Sequence, residues 1–90
     1  MEKVFHVEIV TPAGLAYSKD IVSLIVPAQM GYLGVLANHA PLLCNLRKGK
    51  ITLIDSSRKS VDLETKGSGF IEVLKNKVTI LLESPISPLA

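Results

Sequence analysis

Cysteine is almost missing from this chain. Cys44 is the only one, which excludes an intramolecular disulfide and any zinc site made of repeated cysteine pairs, and suits a reducing compartment. Long apolar runs are missing altogether: no segment approaches the ~18 uninterrupted apolar residues of a membrane-spanning helix, and Met1 to His6 contains no signal-peptide core. Contact with a membrane is therefore expected to be indirect, through another protein. Aromatic side chains are scarce, with only Phe5, Tyr17, Tyr32 and Phe70, whereas single-stranded nucleic acid is held on surfaces of stacked aromatics. Charge of one sign is also lacking. Ten basic and eight acidic residues leave a formal net charge of +2, too weak a field to draw in nucleic acid or an anionic bilayer.

What remains is short and apolar. Ninety residues, 48% of them hydrophobic, fill one core and not two, and a domain of this size buries only about 60% of its unfolded surface. Its stability is then thin, and any partner that binds the folded form would raise it.

Period-two alternation dominates the sequence, as it must in strands with one wet face. Phe5, Val7 and Ile9 alternate with His6 and Glu8; Val61, Leu63 and Thr65 alternate with Asp62 and Glu64; Val78 and Ile80 alternate with Lys77 and Thr79. Ile21 to Val26 and Phe70 to Leu74 are apolar on both faces, which predicts cover from a second layer or a partner. Turn formers separate these segments at about ten-residue spacing, and no long 3.6-residue period occurs anywhere. The pattern predicts an all-β fold, a flattened antiparallel β-sandwich of two sheets with no long helices. The sandwich is expected over 1–84, and 85–90 as a frayed tail, because Pro85 and Pro88 cannot donate to a ladder.

Reactive chemistry is sparse. His6 lies on a wet strand face, Cys44 sits in the apolar run Leu42 to Leu46, and no nucleophile and base fall together in the sequence. Gly31-Tyr32-Leu33-Gly34 and Gly67-Ser68-Gly69 fit neither phosphate-loop pattern, since no helix follows them. Arg47, Lys48 and Lys50 surround Gly49 as a solvated turn. The segment Pro27 to Leu36 is less ordinary: it puts Met30, Tyr32 and Leu33 in a loop, where they either cap the sandwich or meet a partner. Three readings stay open on these residues: a non-catalytic interaction subunit, a small barrel binding nucleic acid or oligosaccharide, and a hydrolase.

Gly31-Tyr32-Leu33-Gly34-Val35-Leu36, followed by Asn38-His39-Ala40-Pro41-Leu42-Leu43, resembles the signature of the epsilon subunit of F-type ATP synthases. There, G-x-x-G-hydrophobic-x-x-x-H-A-P-L-L precedes a strand and a turn, supplied here by Lys48-Gly49. Phe5 to Pro12 resembles the family's first strand and turn, Gly67 to Val73 its glycine-rich G-F-hydrophobic-E-V segment, and Val78 to Leu81 the last strand of its sandwich. The resemblance implies a rotor subunit that joins the gamma subunit to the membrane c-ring, supports the coupling of proton transport to ATP synthesis, and lies on the cytoplasmic face of a bacterial membrane. It implies gamma contacts at Thr11, His39 and Cys44. It implies c-ring contacts at Ala28, Gln29, Met30, Gly31, Tyr32 and Leu33, with Tyr32 at the loop tip. No catalytic residue, cofactor or metal is implied.

The chain departs from that family in three places. Tyr32 and Met30 stand where many relatives carry acidic residues, so an apolar contact is expected in place of a charge pair. Ala37-Asn38 replaces Pro-Gly before the histidine, with Asn38 suited to the left-handed conformation. Relatives continue into a two-helix domain that inhibits ATP hydrolysis and in some cases binds ATP; ending at Ala90, this chain is expected to do neither.

Overall fold

The computed structural model describes residues 3–89. Met1, Glu2 and Ala90, on which parts of the N-terminal and tail expectations fall, lie outside them. Ten strands follow one another: β1 (Phe5–Thr11), β2 (Gly14–Ile21), β3 (Ser23–Ala28), β4 (Gly31–Val35), β5 (Leu42–Leu46), β6 (Gly49–Ile54), β7 (Ser60–Thr65), β8 (Gly69–Leu74), β9 (Lys77–Leu82) and β10 (Ile86–Pro88). No helix occurs among the described residues, so the all-β expectation holds.

Alternation becomes burial directly. β1 buries Phe5, Val7, Ile9 and Thr11 and leaves His6, Glu8 and Val10 partly exposed. Together with Ile21, Leu24, Ile51, Leu53, Ile71 and Ile80, all within 1% of complete burial, these side chains fill the space between two layers. Each fully buried aliphatic side chain contributes about 1.5–3 kcal/mol, so the facing sheets carry most of the stability.

One layer runs β5-β8-β9-β1-β2 and the other β10-β7-β6-β3, with β4 beside β3. The layers are not separate. β3 pairs with β6 through Ser23, Leu24 and Ile25, then bends so that Ala28 meets Leu46 of β5. Pro27 sits at the bend: it has no N–H to offer β6, and its carbonyl accepts from the Arg47 amide at 2.9 Å, as suits proline at an interruption of a ladder. The result is a single, nearly closed mixed sheet. Its one parallel pair, β1 with β9, departs from the antiparallel expectation; a parallel neighbour needs a long connection, and nearly the whole chain supplies it.

The tail corrects another expectation. Ile86 and Pro88 pair with Thr65 and Leu63 of β7, and the Leu89 amide donates to the Asp62 carbonyl at 3.0 Å. Pro88 is tolerated because β10 is the edge of the path, where one side needs no donor.

Across the open mouth of the sandwich, Lys19 Nζ of β2 reaches Asp55 Oδ2, in the β6–β7 turn, at 3.1 Å. Asp55 Oδ1 also accepts from the Ser57 hydroxyl (2.7 Å) and from the Ser57 and Lys59 amides (3.0 Å each). The Ser57 hydroxyl first, then the Lys59 amide and the Lys19 ammonium, hold the Asp55 carboxyl well below the ordinary carboxylate range. A depressed native pKa stabilises the fold fully above the unfolded value and is lost as pH falls towards the native one. Asp55→Asn is therefore expected to lower the melting temperature at neutral pH, and the difference from wild type should shrink below about pH 4; thermal melts across pH check this.

Gly69 opens β8 where a Cβ would collide with the Leu81 backbone carbonyl and lie 3.0 Å from Leu82 Cδ2. Backbone cannot yield as a flexible side chain does. Gly69→Ala is expected to cost about 1–3 kcal/mol, read as a melting point lower by about 4–8 °C per kcal/mol.

Candidate functional site

Strand directions gather five connections at one end of the molecule, those after β1, β3, β5, β7 and β9. Among them the β3–β4 hairpin is distinctive. Ala28 pairs with Gly31, so Gln29 and Met30 form a two-residue turn, the tightest common hairpin connection. Met30 is 99% exposed. A flexible, polarizable thioether held entirely in water at a rigid tip has no packing role in the domain and is suited to filling a partner's surface.

Tyr32 is not at the tip, contrary to expectation. It lies on β4 opposite Pro27, and its hydroxyl accepts from the Lys50 amide at 3.2 Å. The reason is the bend in β3: beyond Ile25 no β3 residue pairs with β6, so the Lys50 N–H on that side finds the phenol instead. Gly49 permits the approach, since a Cβ there would come within 2.8 Å of Pro27 Cβ and 3.0 Å of Tyr32 Oη. Tyr32 thus ties the hairpin to β6 while more than half of its surface remains in solvent.

Cys44 is half-buried, opposite Ile71 in the inward-facing row, and packs against the core. It shares a groove of about 370 Å³ with Ala28, Gln29, Met30, Leu33, Leu42 and Asn45. No Asp, Glu, Lys, Arg or His lines the groove. Cys44 therefore joins the Ala28–Leu33 hairpin in one surface, while Thr11 and His39 lie elsewhere. Thr11, only 8% exposed, spends its hydroxyl on the β1–β2 turn, accepting from the Ala13 amide at 3.2 Å. His39 lies at the opposite end. Its Nδ1 donates to the Ala40 carbonyl at 2.7 Å, and the preceding Asn38 takes φ 64°, the left-handed conformation expected there. The Asn38 amide is anchored by Asn76 Oδ1 at 2.6 Å.

The structure also brings together groups that the sequence left apart. His6 Nδ1 is 2.7 Å from Asp20 Oδ1, and His6 Nε2 is 3.0 Å from Ser18 Oγ. A nucleophile, a base and a carboxylate are thus in line. They stand on an open strand face, His6 38% and Asp20 64% exposed, where water screens each attraction and competes for each hydrogen bond. A serine–histidine–aspartate site works with its carboxylate buried; this one is a cross-strand polar ladder. Among the described residues no cluster of His, Cys, Asp or Glu is placed to hold a metal.

Signals for the site were partly present in the sequence. Apolar residues between glycines marked the hairpin, but the tether from Tyr32 to Lys50, eighteen positions on, had no local signature.

The family model for the β-sandwich domain of the ATP synthase delta/epsilon chain matches residues 4–88. Proteins named ATP synthase epsilon chain are similar: 37% identity over 91% of this chain in Natranaerobius thermophilus, and 43% over 91% in Chlorobaculum tepidum. The chain spans 58% of the former's length and 92% of the latter's. The fold is shared with a chain in the Euglena gracilis mitochondrial ATP synthase, OSCP/F1/c-ring in rotational state 1. That match has TM-score 0.83 and 18% identity, covering 91% of this chain and 51% of the other. A chain in the Tetrahymena thermophila central stalk and c-ring matches with TM-score 0.76 and 15% identity, covering 96% and 67%.

Tyr32→Phe keeps the ring over Gly49 and removes the acceptor for Lys50. The expected loss is about 0.5–1.5 kcal/mol, with faster hydrogen exchange at the Lys50 amide and little change at core amides.

Proposed function

The chain belongs to the ATP synthase delta/epsilon β-sandwich family, and we propose that it is a non-catalytic rotor subunit, joining the gamma subunit of the central stalk to the c-ring. It supports the coupling of proton transport to ATP synthesis, and it reaches the cytoplasmic face of the membrane only through its partners. The observation that carries this reading is the hairpin tip: Met30 fully in solvent on a turn braced by Tyr32 and Gly49. A coupling element must transmit load without yielding, and a close-packed sandwich with a short, tethered finger suits that task.

The ring-facing surface consists of Ala28, Gln29, Met30, Gly31, Tyr32 and Leu33. Its contact is uncharged, because none of these six residues is an acid or a base. On the gamma side, a partner near Thr11 meets the exposed Pro12 and Ala13 around it, one near Cys44 meets the uncharged groove, and one near His39 finds Nε2 free of the bond made by Nδ1.

Native titration against the cognate gamma subunit should give a complex burying on the order of 1,200 Å² or more; no complex under native conditions would sink the proposal. Met30→Glu should weaken binding to c-ring-containing particles about ten-fold with the melting temperature unchanged. Wild-type ring binding should change little between low and physiological salt, as an uncharged contact requires.

A further inference from the structure

The outward face of β5-β8-β9-β1-β2 carries a row of apolar side chains that the core does not use. Phe70 of β8 lies opposite Leu81 of β9, Leu81 beside Val10 of β1, and Val10 opposite Leu15 of β2. Cross-strand partners share a face, so these four form one continuous row. Phe70 is 48% exposed, Leu81 47% and Leu15 60%, and Leu43 on β5 is 69% exposed nearby. Two grooves flank the ridge made by Phe70 and Leu81. One, of about 460 Å³, includes Gln29, Asn45, Arg47, Ser68 and Glu83; the other, of about 250 Å³, includes Leu43, Glu72 and Thr79.

The charge around this row is lopsided. The next row towards the far end holds Glu72 and Glu8, joined through Thr79, and Asp20 lies beyond on β2. On the other side stands Glu83, which accepts from the Ser68 hydroxyl at 2.7 Å. Against these four carboxylates the same rows offer Lys77, 3.7 Å from Glu8, and His6, while Arg47 borders the larger groove. A chain of net charge +2 thus presents an apolar row with Glu72 and Glu8 along one side and Glu83, sharing the larger groove with Arg47, on the other. The other layer's outward face differs: Asp62, Thr52, Ile25 and Gly34 stand in register across it.

We propose that this face docks an amphipathic helix whose apolar ridge is flanked by lysine or arginine. The dimensions match: neighbouring strands are about 4.8 Å apart, close to the 5–6 Å between helix positions i and i+4. From Phe70 to Leu15 the row crosses three strand gaps, about 14 Å, or about ten helical residues. Such a helix lays its ridge over Phe70, Leu81, Val10 and Leu15 and sets its cations against Glu72, Glu8 and Glu83. The inference rests on the rotor reading above, and the helix belongs to the stalk partner. This contact is electrostatically assisted, whereas the hairpin contact is not.

Titration of the cognate gamma subunit with wild-type chain and with Phe70→Glu, Leu81→Glu, Leu15→Glu, Glu72→Lys and Ile25→Glu tests the proposal. Circular dichroism and melting temperature confirm the fold of each. Phe70→Glu, Leu81→Glu and Leu15→Glu should each weaken binding at least ten-fold; should the first two fail to fold, Leu15→Glu and Leu43→Glu, at more exposed positions, give the same reading. Glu72→Lys should weaken binding and flatten its salt dependence, and Ile25→Glu, on the other layer's outward face, should leave gamma affinity unchanged. Wild-type binding with all outward-face variants equal to it would overturn this inference and leave the rotor reading standing. Failure of wild type to bind gamma would overturn both. If Phe70→Glu converts a dimer of the chain into monomer, seen by sedimentation, without changing gamma affinity, the face is an interface between two copies and the proposal falls.

Discussion

The structure depends on the place where β3 leaves one layer for the other. A flat strand there would leave two sheets stacked face to face with open edges, the usual route to unwanted pairing. Instead Pro27 withdraws from β6, Ala28 meets Leu46, and the layers become one path with few free edges. The same bend strands the Lys50 amide, and Tyr32 satisfies it. The hairpin is stiff because the corner beneath it is closed, so the feature that completes the core also fixes the direction of the hairpin. Gly49 follows from this arrangement, since the corner leaves no room for a side chain against Pro27.

Much of the fold was legible in local alternation. β1 and β9 follow the wet-face pattern residue by residue, and β7 follows it at Leu63 and Thr65 while Val61 is only half-buried. Segments apolar on both faces were less transparent. In β3 the second layer accounts for Leu24 and Val26, but in β8 only Ile71 and Val73 are covered, and Phe70 and Leu74 remain about half exposed. Alternation counts apolar faces without saying what covers them. The parallel β1–β9 pair and the ordered β10 were not legible, because both depend on register between residues far apart in the chain.

The candidate site divides the same way. Met30 and the hairpin could be marked from apolar residues lodged between glycines. The actual tip, the phenol tether and the meeting of Cys44 with the hairpin groove required the β3 bend, which no local pattern announces. The outward row of Phe70, Leu81, Val10 and Leu15 was invisible for another reason: its members sit on four different strands, and in the sequence each looks like an unremarkable hydrophobe.

The seating of β1 between β2 and β9 bears on how the protein is made. Its parallel neighbour does not begin until Lys77, so the first strand emerges from the ribosome with one flank unfilled. Contacts of such long sequence separation slow folding, and a nascent chain cannot complete this layer before β9 has emerged. A chain interrupted short of β9 is left with one side of β1 open and its half of the core unsealed.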